Sequence, residues 1–210
     1  TMGGSSQNSG SNKKIISGDL SAILIDNLPF WIDNFRTPSK KIVFMDNWEE
    51  KIDQMAERVK NVNVTSLTGV PSWTLVLFNK ILEKTGCDSL KDVWPNFELF
   101  MHGGISFDPY RKKFMDMLPR VNYLETYNAS EGYFAVQYEL GKPDLILLLD
   151  HGIYYEFIPM GDFQNKTSNT KSLEEVCLGV NYAIVITTNS GLWRYIVGDT
   201  IEFTSLLPFK

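Results

Sequence analysis

The chain has 210 residues, of which 43% are hydrophobic, enough for one large domain with its own core. Its 20 Lys and Arg against 25 Asp and Glu leave a net charge of -5, which argues against a nucleic-acid partner: the basic runs at Lys13-Lys14, Lys40-Lys41 and Arg111-Lys112-Lys113 do not build a phosphate-neutralising face. Two distant cysteines, Cys87 and Cys177, indicate neither a disulfide framework nor a zinc knuckle and fit a reducing cytoplasm, and no apolar run approaches the ~20 residues that span a bilayer, so no membrane partner is expected.

The N-terminal stretch TMGGSSQNSGSN has no hydrophobic period and matches no G-x-x-x-x-G-K-[ST] phosphate loop, so residues 1–16 read as a flexible segment. Residues 22–31, apolar around Pro29, suggest a short buried helix interrupted by a turn. KIVFM (41–45) reads as a strand; residues 49–60 place Ile52, Met55, Ala56 and Val59 at helical spacing. NVTSL is a second strand. Pro71 and Ser72 then open a helix whose Leu75, Val76, Ile81 and Leu82 face a core and which Gly86 stops. ELFMH (98–102) is a third strand, Asp108 N-caps a helix that runs through Leu118, and NYLETY follows as another strand.

This alternation predicts an α/β fold over residues 17–132, with a mostly parallel sheet flanked by helices. Beyond it, FAVQY, LILLLD, IYYEFIP, YAIVITT, WRYIVGD and TIEF are closely spaced, aromatic-rich β segments, so residues 133–210 form a mixed or antiparallel β-rich part of the same globular piece. The polar stretch 161–172 is the clearest mobile loop.

Ligands of parallel α/β sheets bind beyond the carboxyl ends of strands, where loops and helix N-termini present unpaired N–H groups. Three small-residue elements fall there: TGVPSW (68–73), MHGG (101–104) and TYNASEG (126–132). Each also has a plain structural reading, since Gly69, Gly103 and Gly104 can serve turns, Ser130 can cap a helix and Glu131 can cap a turn. Together they suit a nucleotide. Thr126 and Ser130 offer hydroxyls to phosphate oxygens, Glu131 offers a carboxylate to Mg2+, Tyr127 can stack on a base, and Gly103 and Gly104 permit close backbone approach. In GLWRYIVGD (191–199), Asp199 follows a glycine turn and suits a ribose diol, though a turn between strands explains it equally. His102 and His151 lack a nucleophile constellation and Ser72 lacks a G-x-S-x-G elbow, which disfavours a hydrolase.

TGVPSW, FMHGGISFDPYR, YLETYNASEG, YYEFIP and TNSGLWRYIVGD, in this order and spacing, closely resemble the auxin-responsive-promoter family of acyl-acid amido synthetases, within the adenylate-forming superfamily, in a bacterial-style form. The resemblance implies a ligase that uses ATP and Mg2+ to adenylate a carboxylic acid and then joins the acyl group to an amino acid amine. It implies that Tyr127 packs near adenine, Thr126 and Ser130 bind phosphate, Glu131 holds Mg2+ and Asp199 takes the ribose hydroxyls. Val70, Pro71, Trp73, His102, Gly103 and Gly104 would line the acyl-acid pocket.

Two features depart from the family pattern. Ile196 stands where an arginine is expected, with Arg194 two residues earlier, and Asn128-Ala129 replace smaller or hydroxylated residues. The family's phosphate loop belongs upstream of residue 1 and its mobile C-terminal domain after Lys210, so the chain is expected to be an internal piece of the large N-terminal domain that does not adenylate alone. Two further readings are an acyl-CoA ligase sharing the first half-reaction and a non-catalytic binding domain on the same fold.

Overall fold

The structure, a computed structural model, describes residues 6–8, 16–164 and 169–210. The chain divides into two compact units, Thr1–Leu124 and Glu125–Lys210.

In the first unit, β1 (Ser6–Asn8) and β2 (Ile16–Gly18) pair antiparallel. This corrects part of the expected flexible segment, because backbone pairing needs no hydrophobic period; residues 1–5 and 9–15 of that segment lie outside the described residues. Helix α1 (Leu20–Asp26) buries only Ala22 and Ile25, and beyond Pro29 a 3-10 turn (Phe30–Asn34) buries nothing. The run expected to be a buried helix is thus half surface, with Phe30 88% exposed.

KIVFM is not a strand. Residues Lys40–Val43 form a single helical turn, α2, in which only Val43 is buried. A short apolar run fits either period, and here one helical turn buries Val43 and packs Ile42 against the core. Helix α3 (Trp48–Val59) follows the expected spacing, burying Ile52, Met55, Ala56 and Val59, and Asn47 caps it by accepting the Glu50 N–H at 3.0 Å.

Strand β3 (Ser66–Gly69) leads directly into α4 (Pro71–Thr85), which has Pro at its first position and ends at Gly86 in the left-handed region (φ 67°). The buried face of α4 is Pro71, Thr74, Leu77, Phe78 and Ile81, whereas Val76, expected to face inward, points to solvent. After α5 (Leu90–Val93) the chain enters β4 (Leu99–Gly103), parallel to β3 with Gly69 opposite His102. Parallel pairing requires a crossover, which α4 and α5 supply.

Helix α6 (Asp108–Met117) follows, but Asp108 is its first residue rather than its cap. Buried Phe107 takes the cap position, and the Asp108 carboxylate instead meets Arg111 at 3.2 Å. The core of this unit is aromatic: Phe100 stacks on Phe114 at 4.9 Å, Phe78 meets Trp94 at 5.9 Å, and the Trp94 indole donates to the Val59 carbonyl at 2.9 Å.

The second unit is antiparallel, as its closely spaced β segments predict. Strands β5 (Asn122–Ala129), within which the division falls, β6 (Gly132–Gln137) and β7 (Leu145–Leu147) pair in order. A second sheet follows from β8 (Ile153–Pro159), β9 (Asn181–Thr188) and β10 (Tyr195–Glu202), with β9 in the middle. WRYIVGD and TIEF, separate segments in the sequence pattern, join in β10. The expected mobile loop after β8 instead begins with α7 (Met160–Gln164), and Lys171 returns to exchange backbone hydrogen bonds with Phe157 at 2.9 and 2.7 Å; residues 165–168 lie outside the described residues. Phe134, Tyr155, Phe157, Tyr182, Ile184, Ile186 and Phe203 form the core.

Candidate functional site

Five of the six acyl-pocket candidates of the first unit gather at the carboxyl ends of β3 and β4. Val70 caps α4 and Pro71 starts it, so the chain turns at once from strand to helix. The parallel register sets Gly69 beside His102, and Gly104 takes the positive φ of 82° that favours glycine, in van der Waals range of Val70. Gly103 ends β4. Trp73 sits on the first turn of α4, 44% exposed, with its ring edge-on to Trp48 at 5.3 Å.

His102 is 2% exposed and stacks on Phe107 at 3.9 Å, with Phe100 tilted against it at 5.4 Å. Burial among these rings, with Arg111 adding repulsion, pulls its pKa down to about 4. The ring is therefore neutral at pH 7, and its packing matches the structural reading of a histidine without a catalytic constellation.

The nucleotide candidates of the second unit lie on one hairpin and one bulged strand. Ala129 pairs with Gly132, so Ser130 and Glu131 are the two residues of the β5–β6 turn and neither caps a helix. The turn is tight because Gly132 has no side chain: a Cβ there would lie 2.8 Å from Ile153 Cδ1 and 2.9 Å from Phe134 Cε1. The Thr126 hydroxyl donates to Asn128 Oδ1 at 3.1 Å, so Asn128, a departure from the family pattern, already engages it.

Asp199 owes its direction to a break in β10. Ile196 pairs with Val185, but the next matched pair is Thr200 with Ala183, which sets three β10 residues against Ile184 alone. Gly198 carries this bulge at φ 98°, a conformation that side chains resist. A bulge re-aims the residue beside it, and the Asp199 carboxylate receives the Tyr127 hydroxyl at 2.9 Å.

Tyr127 is half-buried against Phe134, ring centroids 5.0 Å apart. Burial first, then the hydrogen bond to Asp199 and the negative charges of Asp199 and Glu131, hold its phenol above the usual range. Its O–H therefore stays a donor. On its other side the ring lines an apolar cleft of about 280 Å³ together with Leu145, Leu147, Ile184 and Phe203.

Three features are absent from the sequence reading. Tyr195 donates to Glu131 Oε1 at 3.2 Å. Tyr155 is 3% exposed, and its hydroxyl has no hydrogen-bond partner among the described residues. Arg194 is engaged within the unit, with Nε at 3.0 Å from Glu156 Oε2 and Nη2 at 3.2 Å from Thr170 Oγ1, while Thr170 donates to the other Glu156 oxygen at 2.8 Å. For Tyr195 a sequence signal existed: Tyr and acid stand four apart in both YNASE and YIVGD.

Among the described residues no three His, Cys, Asp or Glu side chains form a metal-holding group, and no helix is long and apolar enough to cross a membrane.

Comparison with known proteins identifies the family and the fold. Jasmonoyl-L-amino acid synthetase JAR6 of Nicotiana attenuata is 29% identical over 184 residues, 76% of this chain and 31% of the relative. The 4-substituted benzoates-glutamate ligase GH3.12 of Arabidopsis thaliana is 34% identical over 122 residues, 55% of this chain and 20% of that one. The chain thus spans about a third or less of the length of these curated relatives. Among solved structures, the GH3.15 acyl acid amido synthetase in complex with 2,4-DB superposes with a TM-score of 0.64 at 17% identity, covering 88% of this chain and 41% of that one. A 2-hydroxyisobutyryl-CoA ligase superposes at 0.57 with 12% identity, covering 75% and 33%. These likenesses show that the chain shares its fold with these two ligases. Residues 146–208 match the GH3 family central domain and residues 5–123 the GH3 family N-terminal domain; with more than half of its length in the latter, the chain belongs to the GH3 family.

Proposed function

We propose that the full-length protein carrying this chain is an ATP-dependent ligase that adenylates a carboxylic acid and transfers the acyl group to the amine of an amino acid. The observation that carries this reading is a pair of tyrosine–carboxylate bonds, Tyr127 to Asp199 and Tyr195 to Glu131, on a chain of the GH3 family. The named relatives are acid–amino acid ligases, which supports the choice of acceptor.

In this reading Asp199 accepts hydrogen bonds from the ribose hydroxyls, Tyr127 lies by the adenine, and Thr126 and Ser130 offer hydroxyls to phosphate oxygens. Glu131 takes Mg2+. One carboxylate is enough for this cation, which keeps several waters and shares itself between one or two carboxylates and the phosphates. Bound Mg2+ supplies charge neutralisation at the phosphates. Val70, Pro71, Trp73, His102, Gly103 and Gly104 belong to the acyl-acid wall, His102 by supporting the end of β4 from beneath.

An oxygen of the acid attacks the α-phosphorus and pyrophosphate leaves; the amine nitrogen then attacks the acyl carbon, AMP leaves and the amine gives up a proton. The work of the protein is to hold reactants in line and to meet developing charge, which requires no histidine or serine nucleophile. Two free cysteines fit a cytoplasmic setting.

The test is mass spectrometry of products from the full-length protein offered ATP, Mg2+ and a panel of carboxylic acids with amino acids or with coenzyme A. Acyl-amino acid amides are expected. Thioesters instead would make it an acyl-CoA ligase, and no AMP release with any acid would leave a binding domain.

A further inference from the structure

The two tyrosine–carboxylate bonds of the second unit form a reciprocal pattern. Tyr127 and Glu131 stand four residues apart on the β5–β6 hairpin, and Tyr195 and Asp199 stand four apart on β10. Tyr127 donates to Asp199 at 2.9 Å and Tyr195 donates to Glu131 at 3.2 Å. Each segment gives one phenol and receives one, antiparallel, so the pair works as a clasp whose two carboxylates are the two groups assigned to the nucleotide and its metal.

We propose that Tyr195 is a positioning residue for Glu131, fixing one carboxylate oxygen so that the other is presented to the metal of a bound nucleotide. The inference rests on the proposed role of Glu131. Its geometry is specific: the Tyr195 hydroxyl meets Oε1, and no described residue bonds Oε2. Glu131 sits at a two-residue turn, where its own backbone does little to restrain the side chain. A hydrogen bond from a strand residue supplies that restraint, since carboxylate ligands of metals are themselves held by outer partners. Tyr195 is itself secured by strand pairing with Ile186.

The Tyr127 bond fixes the other side of the clasp. Because Tyr127 is packed on Phe134 and remains protonated, it keeps one Asp199 oxygen engaged. The Gly198 bulge separates Tyr195 from Asp199 by the extra residues that let both side chains reach the hairpin.

The experiment is direct Mn2+ binding, read by electron paramagnetic resonance in the presence of ATP, on the full-length protein and its Tyr195→Phe, Glu131→Gln and doubly substituted forms. Tyr195 is 41% exposed, so phenylalanine keeps the ring without a folding penalty, and thermal melting checks this. Glu131→Gln is expected to weaken Mn2+ strongly, Tyr195→Phe to weaken it about tenfold, and the double form to match Glu131→Gln alone. A merely structural tyrosine would lower the melting temperature while leaving Mn2+ affinity unchanged. Unchanged affinity in Tyr195→Phe, with Glu131→Gln still weak, overturns the positioning role and leaves the metal assignment standing. Unchanged affinity in Glu131→Gln overturns both, and a double form much weaker than Glu131→Gln overturns the positioning role alone.

Discussion

Protonation of His102 should be a main source of acid sensitivity. In the folded chain its pKa falls from the ordinary 6.5 to about 4, because the ring is buried against Phe107 and Phe100 and lies near Arg111. The unfolded chain therefore takes up the proton first as pH falls. The resulting stability is fully present above pH 6.5 and is lost progressively down to about 4. At ~1.4 kcal/mol per pH unit the displacement amounts to roughly 3 kcal/mol, a large part of the 5–15 kcal/mol that typically holds a domain. Urea unfolding at a series of pH values from 7 to 4, for the parent and a His102→Gln variant, reads this directly. Carboxylates titrate in both proteins, so the difference between the two slopes isolates the histidine. The parent should lose roughly 3 kcal/mol more than the variant over that interval. Parallel slopes, or a His102 ring resonance that titrates near pH 6.5 in the native protein, would refute the burial argument.

Gly132→Ala should destabilise by about 1–3 kcal/mol, measured by denaturant unfolding, since its methyl would meet Ile153 and Phe134 under 3 Å; an unchanged midpoint would mean the hairpin opens freely. Gly198→Ala should cost ~1–3 kcal/mol at φ 98° and weaken nucleotide binding in calorimetry by turning Asp199 away. Loss of stability with unchanged affinity would separate the bulge from the site. Phe78→Ala, at a fully buried ring touching Trp94, Phe100 and Phe114, should cost about 3–5 kcal/mol. Tyr155→Phe should raise the melting temperature slightly, because it removes a buried hydroxyl without a partner among the described residues, a group that costs ~1–3 kcal/mol. A clear fall instead would reveal a partner for that hydroxyl.

The parts of the fold legible in the sequence are those where local chemistry and tertiary packing agree. Helix α4 has Pro at its start, Gly in the left-handed region at its end and an apolar face between them, and its bounds follow from those signals. KIVFM carries no such agreement: it is apolar enough for a strand, yet with no strand partner it closes a single helical turn around Val43. Asp108 shows the same limit at one residue. An acid before proline is a good cap in isolation, but Phe107 is needed in the core and takes the position, which leaves Asp108 to Arg111.

The site residues were legible as types, and their orientation was not. Sequence spacing marks Glu131 and Asp199 as carboxylates in small-residue turns, but which way each points depends on events that no local pattern encodes. Glu131 faces Tyr195 because a two-residue hairpin ends β5, and Asp199 faces Tyr127 because β10 carries extra residues against Ile184. Replacement of the expected arginine by Ile196 has a structural setting as well: the next cation along, Arg194, is held by Glu156 and Thr170, so this chain keeps a guanidinium nearby but commits it to the β8 side of the sheet. Arg194 spends Nε and one Nη2 hydrogen on these bonds, and its Nη1 remains available to an anion. In the proposed reaction the metal at Glu131 meets the phosphate charge directly, so the orientation of that carboxylate, and the tyrosine that sets it, bear on how well the charge is met.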